Sequence, residues 1–177
     1  ISGHYPDEKS DLAIVFMSQC LDLTKANGIA SLVNIESWMF LKTTLEFRTK
    51  LLEKYSITDM LHLGNGAFAD VVVATTAYVI NKAKAMRGDY IRVVFGNLGD
   101  KELAVTKAIK NPEDTIRYTA VSNDFKLLPG NILAYWISDA TKQIFLNSKE
   151  LNLIAEPKQG LATSNNDRFL REWWEVD

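Results

Sequence analysis

The stretch Leu63-Gly64-Asn65-Gly66-Ala67-Phe68 and the apolar run from Val71 to Ile80 decide the fold of this chain. Residues 57–63 have the composition of a buried strand, and the glycines that follow are typical of a tight turn. The run 71–80 is apolar on both faces, which indicates a strand inside the sheet. Because the connection is too short for a crossover, we expect the two strands to pair antiparallel.

Upstream, the pattern indicates a helix, a strand and a second helix. Ser10 is a good N-cap before a helical apolar repeat, and Asn27-Gly28 is typical of a left-handed helix stop. The short apolar run Ile29–Ile35 indicates a buried strand, and Glu36-Ser37 then begins the second helix. Its stripe toward the sheet consists of Leu41, Leu45, Arg48, Leu52 and Tyr55. The arginine in that stripe is expected to keep its charged head in water.

These elements predict an α/β fold built on one sheet. We expect a mostly parallel sheet that ends in one antiparallel strand. Since the run 71–80 suits a central strand, we place it between 29–35 and 57–63. After a polar break that follows Asn81, further elements are predicted: strands at 90–95 and 117–121, and helices at 101–110 and 132–146.

Composition excludes several classes of protein. The 177 residues are 47% hydrophobic and 24% charged, which is typical of a globular chain. The net charge of −2 lacks the basic excess of a free-standing DNA binder. The single cysteine, Cys20, excludes an internal disulfide and is expected to pack in a core. No apolar run is long enough for a membrane span, so we expect a cytoplasmic protein, and the missing initiating Met suggests an excised piece.

Few residues carry recognisable chemistry. His4 and His62 are the only histidines, and neither has the spaced ligands of a metal site. His62 lies within a strand and is expected to be a satisfied or sheet-edge histidine rather than a metal ligand or a base. Gly64-Asn65-Gly66 precedes a strand, so it cannot place phosphates at a helix N-terminus. Trp38-Met39-Phe40 follows a strand end, where ligands bind in such sheets, but core packing is the favoured role.

Two places allow both a structural and a functional interpretation. Phe68 is either a turn aromatic that folds back as a hydrophobic plug, or a platform on which an extruded base stacks. The polar tail from Lys158 to Phe169 is either a surface loop, or a loop that approaches DNA phosphates and base edges. In the second case the cations would be Lys158 and Arg168, with Thr163 and Asn166 as further candidate DNA contacts.

Several motifs together resemble N6-adenine DNA methyltransferases, in particular the PglX-type enzymes of BREX phage-defence systems. These are related to the single-chain restriction–methylation enzymes. The likeness covers nearly the whole chain, and its last motif is the most specific. The motifs are Ser37-Trp38-Met39-Phe40, His62-Leu63-Gly64 with Ala67-Phe68, Ile109-Lys110-Asn111-Pro112, Leu128-Pro129-Gly130 with Ala134-Tyr135-Trp136, and Ile154 to Thr163 through Asn166 to Arg171.

The resemblance implies an internal fragment of such an enzyme. Residues 1–85 would be the later half of a class I, Rossmann-like methyltransferase domain whose sheet has an antiparallel strand. Residues 86–177 would be a small α+β bridge to the target-recognition domain and would include the start of that region. The full enzyme would transfer a methyl group from S-adenosylmethionine to a flipped adenine in double-stranded DNA, with other BREX proteins as partners. The family's Thr-Pro-Gln before Ser-Trp is replaced here by Asn34-Ile35-Glu36.

The fragment itself is expected to be inactive. The family's glycine-rich cofactor loop and its Asn-Pro-Pro-Tyr motif are both absent, and no Pro-Pro occurs in the chain. We therefore expect neither a catalytic residue nor bound S-adenosylmethionine or metal. The alternative is a non-catalytic α/β binding or scaffold domain that docks a protein partner through its tail.

Overall fold

The computed structural model of the chain describes residues 5–6, 8, 11–68, 72–84, 86–149, 151–156, 158 and 166–175, without the side chains of 152 and 166. Its contacts form two compact units, Ile1–Leu146 and Asn147–Asp177. The division into catalytic and bridging parts at residue 85 stays a prediction. Among the described residues, no helix has both the length and the apolar character that a membrane span needs.

A five-stranded mixed sheet with flanking helices makes up most of the first unit. The strands are β1 (Ile29–Ile35), β2 (Ser56–Gly64), β3 (Thr75–Asn81), β4 (Arg87–Arg92) and β5 (Arg117–Val121). The helices are α1 (Leu12–Leu23), α2 (Leu45–Lys54), α3 (Leu98–Lys110) and α4 (Asp139–Asn147), and α5 (Asn166–Phe169) lies in the second unit. The strand order is β1-β3-β2-β4-β5.

Strand β3 lies between β1 and β2 and pairs antiparallel with both, as predicted. Tyr78, for example, is opposite Leu32 on one side and Met60 on the other. The strand begins at Thr75 rather than at residue 71, and Val72 is 92% exposed in the connection. The prediction of a mostly parallel sheet was wrong. Within this sheet only β2 and β4 pair parallel, and β5 pairs antiparallel with β4.

The first two helices differ from the prediction at their ends. In α1 the N-cap is Asp11, whose carboxylate accepts a bond from the Ala13 amide, and Ser10 lies outside the described residues. Asn27 adopts the predicted left-handed conformation, with φ of 58°, but the helix already ends at Leu23. The second helix starts at Leu45, because short 3-10 turns occupy Glu36–Met39 and Lys42–Thr44.

The core lies on one face of the sheet. There α1 and α2 pack against the buried side chains of the strands, and Trp38 and Met39 are fully buried between them, as their predicted core role requires. Cys20 is a free thiol and only partly buried. The opposite face carries a groove of about 510 Å³ that α3 covers only in part, and Val33 is 61% exposed there.

Arg48 does not keep its head in water, because its side chain is only 1% exposed. Its guanidinium donates to the carbonyl oxygens of Trp38 and Leu41 at 2.8 and 2.7 Å, and to the Thr44 hydroxyl at 2.6 Å. It also donates to the Gly130 carbonyl at 2.7 Å. A planar guanidinium can satisfy several carbonyls at once, so it ties α2, the preceding loop and a distant turn together.

The predicted helix at 132–146 forms only from Asp139 onward. The preceding residues are irregular, and they bury Leu133 and Tyr135 in the core. The Leu133 amide donates to the Met39 carbonyl at 3.2 Å, so this backbone group has a partner outside any helix. Nearby, β4 and α3 each begin three residues earlier than predicted, at Arg87 and Leu98, and α3 ends at Lys110 as predicted, with Asn111 as its C-cap.

We predict that Arg48→Met lowers the free energy of unfolding by on the order of 3 kcal/mol, because the carbonyls of Trp38, Leu41 and Gly130 lose a charged side-chain donor. Urea denaturation of the purified chain measures the change. Lys54→Met, at an exposed site on the same helix, is the control and should change stability by less than about 0.5 kcal/mol. Equal effects of the two substitutions would contradict the role of Arg48 in holding these segments together.

Candidate functional site at the carboxyl ends of the strands

The carboxyl ends of three strands meet at one edge of the sheet. Since β3 is antiparallel to both β1 and β2, these two strands run in the same direction, and β4 runs parallel to β2. Glu36 follows β1 directly, His62 lies near the end of β2, and Arg92 ends β4. This edge is where open α/β sheets place their ligands.

Glu36, His62 and Tyr135 form a hydrogen-bonded chain at this edge, in which His62 and Tyr135 are buried and Glu36 is partly exposed. His62 is 2% exposed, its Nε2 lies 2.6 Å from the Glu36 carboxylate, and its Nδ1 lies 2.9 Å from the Tyr135 hydroxyl. A neutral ring that donates to Glu36 and accepts from Tyr135 satisfies both ring nitrogens. The prediction that His62 is satisfied by hydrogen bonds is therefore confirmed.

Burial holds the imidazole in its neutral form. It lowers the pKa of His62, and the nearby charges of Arg92 and Lys101 lower it further, whereas the Glu36 carboxylate opposes the shift. Burial also raises the pKa of the Tyr135 hydroxyl, which thus remains a donor at neutral pH. The carboxylate of Glu36 is occupied by this contact with His62.

Aromatic side chains pack around these three hydrogen-bonded residues. The Trp136 ring lies 6.0 Å from Phe40, 5.8 Å from His62 and 5.0 Å from Tyr135, measured between centroids. The guanidinium of Arg92 lies 4.4 Å from the centre of the same ring, a favourable cation–π distance. The irregular segment that replaced the predicted helix thus supplies two side chains of the site.

The turn after β2 has the backbone that its glycines indicate. Gly64 and Gly66 adopt positive φ angles of 61° and 76°. A Cβ atom on Gly64 would lie 3.0 Å from Val94, so a side chain there would be strained and crowded. Phe68, at the end of the turn, is 51% exposed. Its stacking role stays a prediction.

The candidate residues of the tail belong to the second unit. Lys158 pairs with Glu156 at 2.6 Å, with both side chains exposed, and the Arg168 guanidinium lies 5.3 Å from the Phe169 ring. Thr163 and the side chain of Asn166 lie outside what the structure describes. Their roles as DNA contacts stay predictions.

Sequence reasoning did not identify Glu36, Tyr135 or Lys101 as site residues. Glu36 lies 26 positions from His62 in the sequence, and Tyr135 lies 73 positions from it. No local pattern marks such distant pairs. The one available signal was a polar residue at each strand end. In the described part of the chain, no cluster of three His, Cys, Asp or Glu side chains could hold a metal ion.

We predict that the chain loses stability as the pH falls below about 6.5, the ordinary pKa of histidine. The folded state holds His62 neutral, so below that pH the unfolded state binds more protons and is favoured. His62→Gln, which cannot titrate, should flatten this part of the profile. Urea denaturation between pH 5 and 8 measures it, and an identical pH slope in both proteins would contradict the assignment.

Several known proteins are similar in sequence to this chain. The model of the family of Eco57I restriction-modification methylases matches residues 1–68. The adenine-specific methyltransferase PglX of Lacticaseibacillus casei is 36% identical over 99% of the chain, which covers 15% of that protein. BrxX of Escherichia coli O9:H4, also an adenine-specific methyltransferase, is 38% identical over 97% of the chain and 14% of its own length.

The fold has a counterpart among solved structures. A chain from a type I restriction–modification system superposes with a TM-score of 0.53 at 12% identity, over 85% of this chain and 34% of that one. The chain spans about one seventh of the length of the methyltransferases it matches. The resemblance indicated by the sequence motifs is confirmed: over nearly its whole length, the chain is a homologue of a segment of the PglX and BrxX adenine-specific methyltransferases.

Proposed function

We propose that this chain is a segment of an adenine-N6 DNA methyltransferase that acts in phage defence. The full enzyme transfers a methyl group to the amino nitrogen of an adenine flipped out of double-stranded DNA, with other BREX proteins as partners. The observation that carries the proposal is the identity of 36% to PglX over 99% of the chain. The antiparallel strand β3 between β1 and β2 supports the proposal. The resemblance to class I methyltransferases implies a sheet with such an antiparallel strand.

The segment contributes architecture and a base-contacting edge rather than the cofactor site. S-adenosylmethionine supplies the methyl group when it is bound to the full enzyme. The glycine turn Gly64–Gly66 does not fit a site for it, because this turn leads toward another strand and not into a helix. We therefore assign no catalytic step to this segment and expect it to be inactive alone.

Phe68 is the residue of this segment that we assign to the target base. An adenine leaves the duplex at the cost of its stacking, and an aromatic face can repay part of that cost. Half of the Phe68 surface is exposed, at the carboxyl edge of the sheet, which suits a platform better than a buried plug. In this proposal the Glu36–His62–Tyr135 chain fixes the strand ends from which the turn projects.

The test is a methyl-transfer assay on adenine-containing duplex DNA with labelled S-adenosylmethionine. The full-length protein should produce N6-methyladenine, detected after nuclease digestion, and the 177-residue chain alone should produce none. Incorporation by the chain alone would contradict its assignment as an inactive segment. A full-length protein that methylates nothing but retains a protein partner would support the alternative, a scaffold domain.

We predict that Phe68→Ala in the full-length enzyme lowers kcat/KM for duplex DNA by an amount equivalent to about 1–3 kcal/mol, because the stacking on the base is lost. The affinity for S-adenosylmethionine should stay near normal. Steady-state kinetics and cofactor titration measure both quantities. Val72→Ala, at an exposed site in the same connection, is the control and should leave both unchanged. If Phe68→Ala lowers fold stability and cofactor affinity together, Phe68 is a structural plug.

We predict that replacing Lys158 and Arg168 with Ala in the full-length enzyme weakens DNA binding on all sequences alike. Lost phosphate contacts should reduce the slope of log K against log salt by about one per cation. Binding titrations at several salt concentrations measure this, with Lys149→Ala as the exposed control. A change confined to one base position would indicate direct base reading, and unchanged binding would leave the tail as a packing linker.

A further inference from the structure

We propose that Lys101 is a positioning residue that fastens two neighbouring loops, the turn of Phe68 and the loop of Phe95, into one surface with two aromatic side chains for unstacked DNA bases. The inference rests on the proposed function for its ligand. It adds to it a second base-contacting residue, Phe95, and the side chain that holds both loops. Neither residue stood out in the sequence.

Lys101 occupies an unfavourable position for a cation. It is 1% exposed, although lysine is rarely buried to this extent, and it lies near the N-terminus of α3, where the helix dipole disfavours positive charge. Its ammonium donates to the carbonyl oxygens of Leu63, Val93 and Phe95 at 2.6, 2.7 and 3.3 Å. All three donors of the ammonium are therefore used, which offsets the cost of burial.

The three acceptors belong to the exits of two parallel strands. Leu63 immediately precedes the glycine turn after β2, and Val93 and Phe95 follow β4. Backbone packing reinforces this connection, since a Cβ on Gly66 would lie 3.7 Å from the Gly96 carbonyl and 4.0 Å from Cε of Lys101. The two loops thus touch, and Lys101 is the polar group between them.

The loop of Phe95 is itself fixed at its far end. Gly96 has a positive φ of 87°, and Asn97 then caps α3 through a reciprocal pair of hydrogen bonds with Asp100. This pair and Lys101 hold the backbone on both sides of Phe95. Its ring nevertheless remains 82% exposed.

Two exposed aromatic side chains on two fastened loops suit a ligand with flat faces. Phe68 is 51% exposed and Phe95 is 82% exposed, and both follow strand ends at the edge where such sheets bind ligands. Aromatic rings stack on unstacked bases of any sequence, whereas a duplex offers no free base faces. The chemistry of the edge therefore favours the extruded adenine and a neighbouring unstacked base.

The first experiment asks whether Lys101 holds the loops. In the full-length protein, Lys101→Met should raise the rate of amide hydrogen exchange at least about tenfold in residues 63–68 and 93–97, since removal of the ammonium frees both strand exits. Lys110→Met, at an exposed site on the same helix, should raise neither. Lys101→Arg should restore part of the protection. Equal exchange in the Lys101 and Lys110 variants would overturn the inference, whatever the function.

The second experiment asks whether the fastened loops serve the extruded base. Lys101→Met should lower kcat on a paired duplex by about tenfold or more, as displaced positioning groups do, with the KM for S-adenosylmethionine changed less than about twofold. A duplex with a mismatch at the target adenine should recover part of the loss, because the base there leaves the stack more easily. A loss that is the same on both duplexes would make Lys101 merely structural and overturn the inference.

Phe95→Ala tests the second aromatic directly. It should lower kcat/KM on the paired duplex by about fivefold or more, while Leu103→Ala, at a site 73% exposed on α3, should not. An unaffected Phe95→Ala enzyme would overturn the two-aromatic surface. Failure of the proposed function is recognised separately, since the wild-type enzyme would then methylate no DNA while the exchange experiment still reports on Lys101.

Discussion

Strand β3 pairs along both of its edges, and the positions of the other elements depend on that double pairing. It aligns β1 and β2 in the same direction without letting them touch, so Glu36 and His62 lie on the same edge of the sheet although 26 positions separate them. Its core side buries Tyr78 and Ile80 against the helices. A charge on that side would remove the contacts that keep the two parallel strands in register.

Two buried cations, Arg48 and Lys101, connect irregular backbone segments to one another. Each is 1% exposed, and each satisfies backbone carbonyl oxygens from segments that are distant in sequence. Carbonyls in irregular loops have no ladder partner, and a long cationic side chain can supply several donors at once. Desolvation lowers the pKa of both groups, and the hydrogen bonds to the carbonyl oxygens offset the cost of burying their charge.

The same edge combines a rigid interior with an exposed rim. Inside, His62 uses both ring nitrogens in its hydrogen bonds to Glu36 and Tyr135, so neither nitrogen is free for a reaction. These three residues therefore hold the strand ends in place. On the rim, Phe68 remains accessible on a turn whose glycines could not be replaced without strain. In the function that we propose, this rim presents a surface to a base, and the reacting groups belong to other segments of the enzyme.

The sequence by itself determined the strands and their central antiparallel partner, because apolar periodicity and turn residues are local signals. The family followed from the resemblance that its motifs carry. It misplaced the head of Arg48 and the start of α4, since burial of a cation and the shape of residues 132–138 depend on partners far along the chain. Only the tertiary structure decided that His62 meets Tyr135 and that Lys101 joins two strand exits. Such contacts arise from chain topology, which no local pattern encodes.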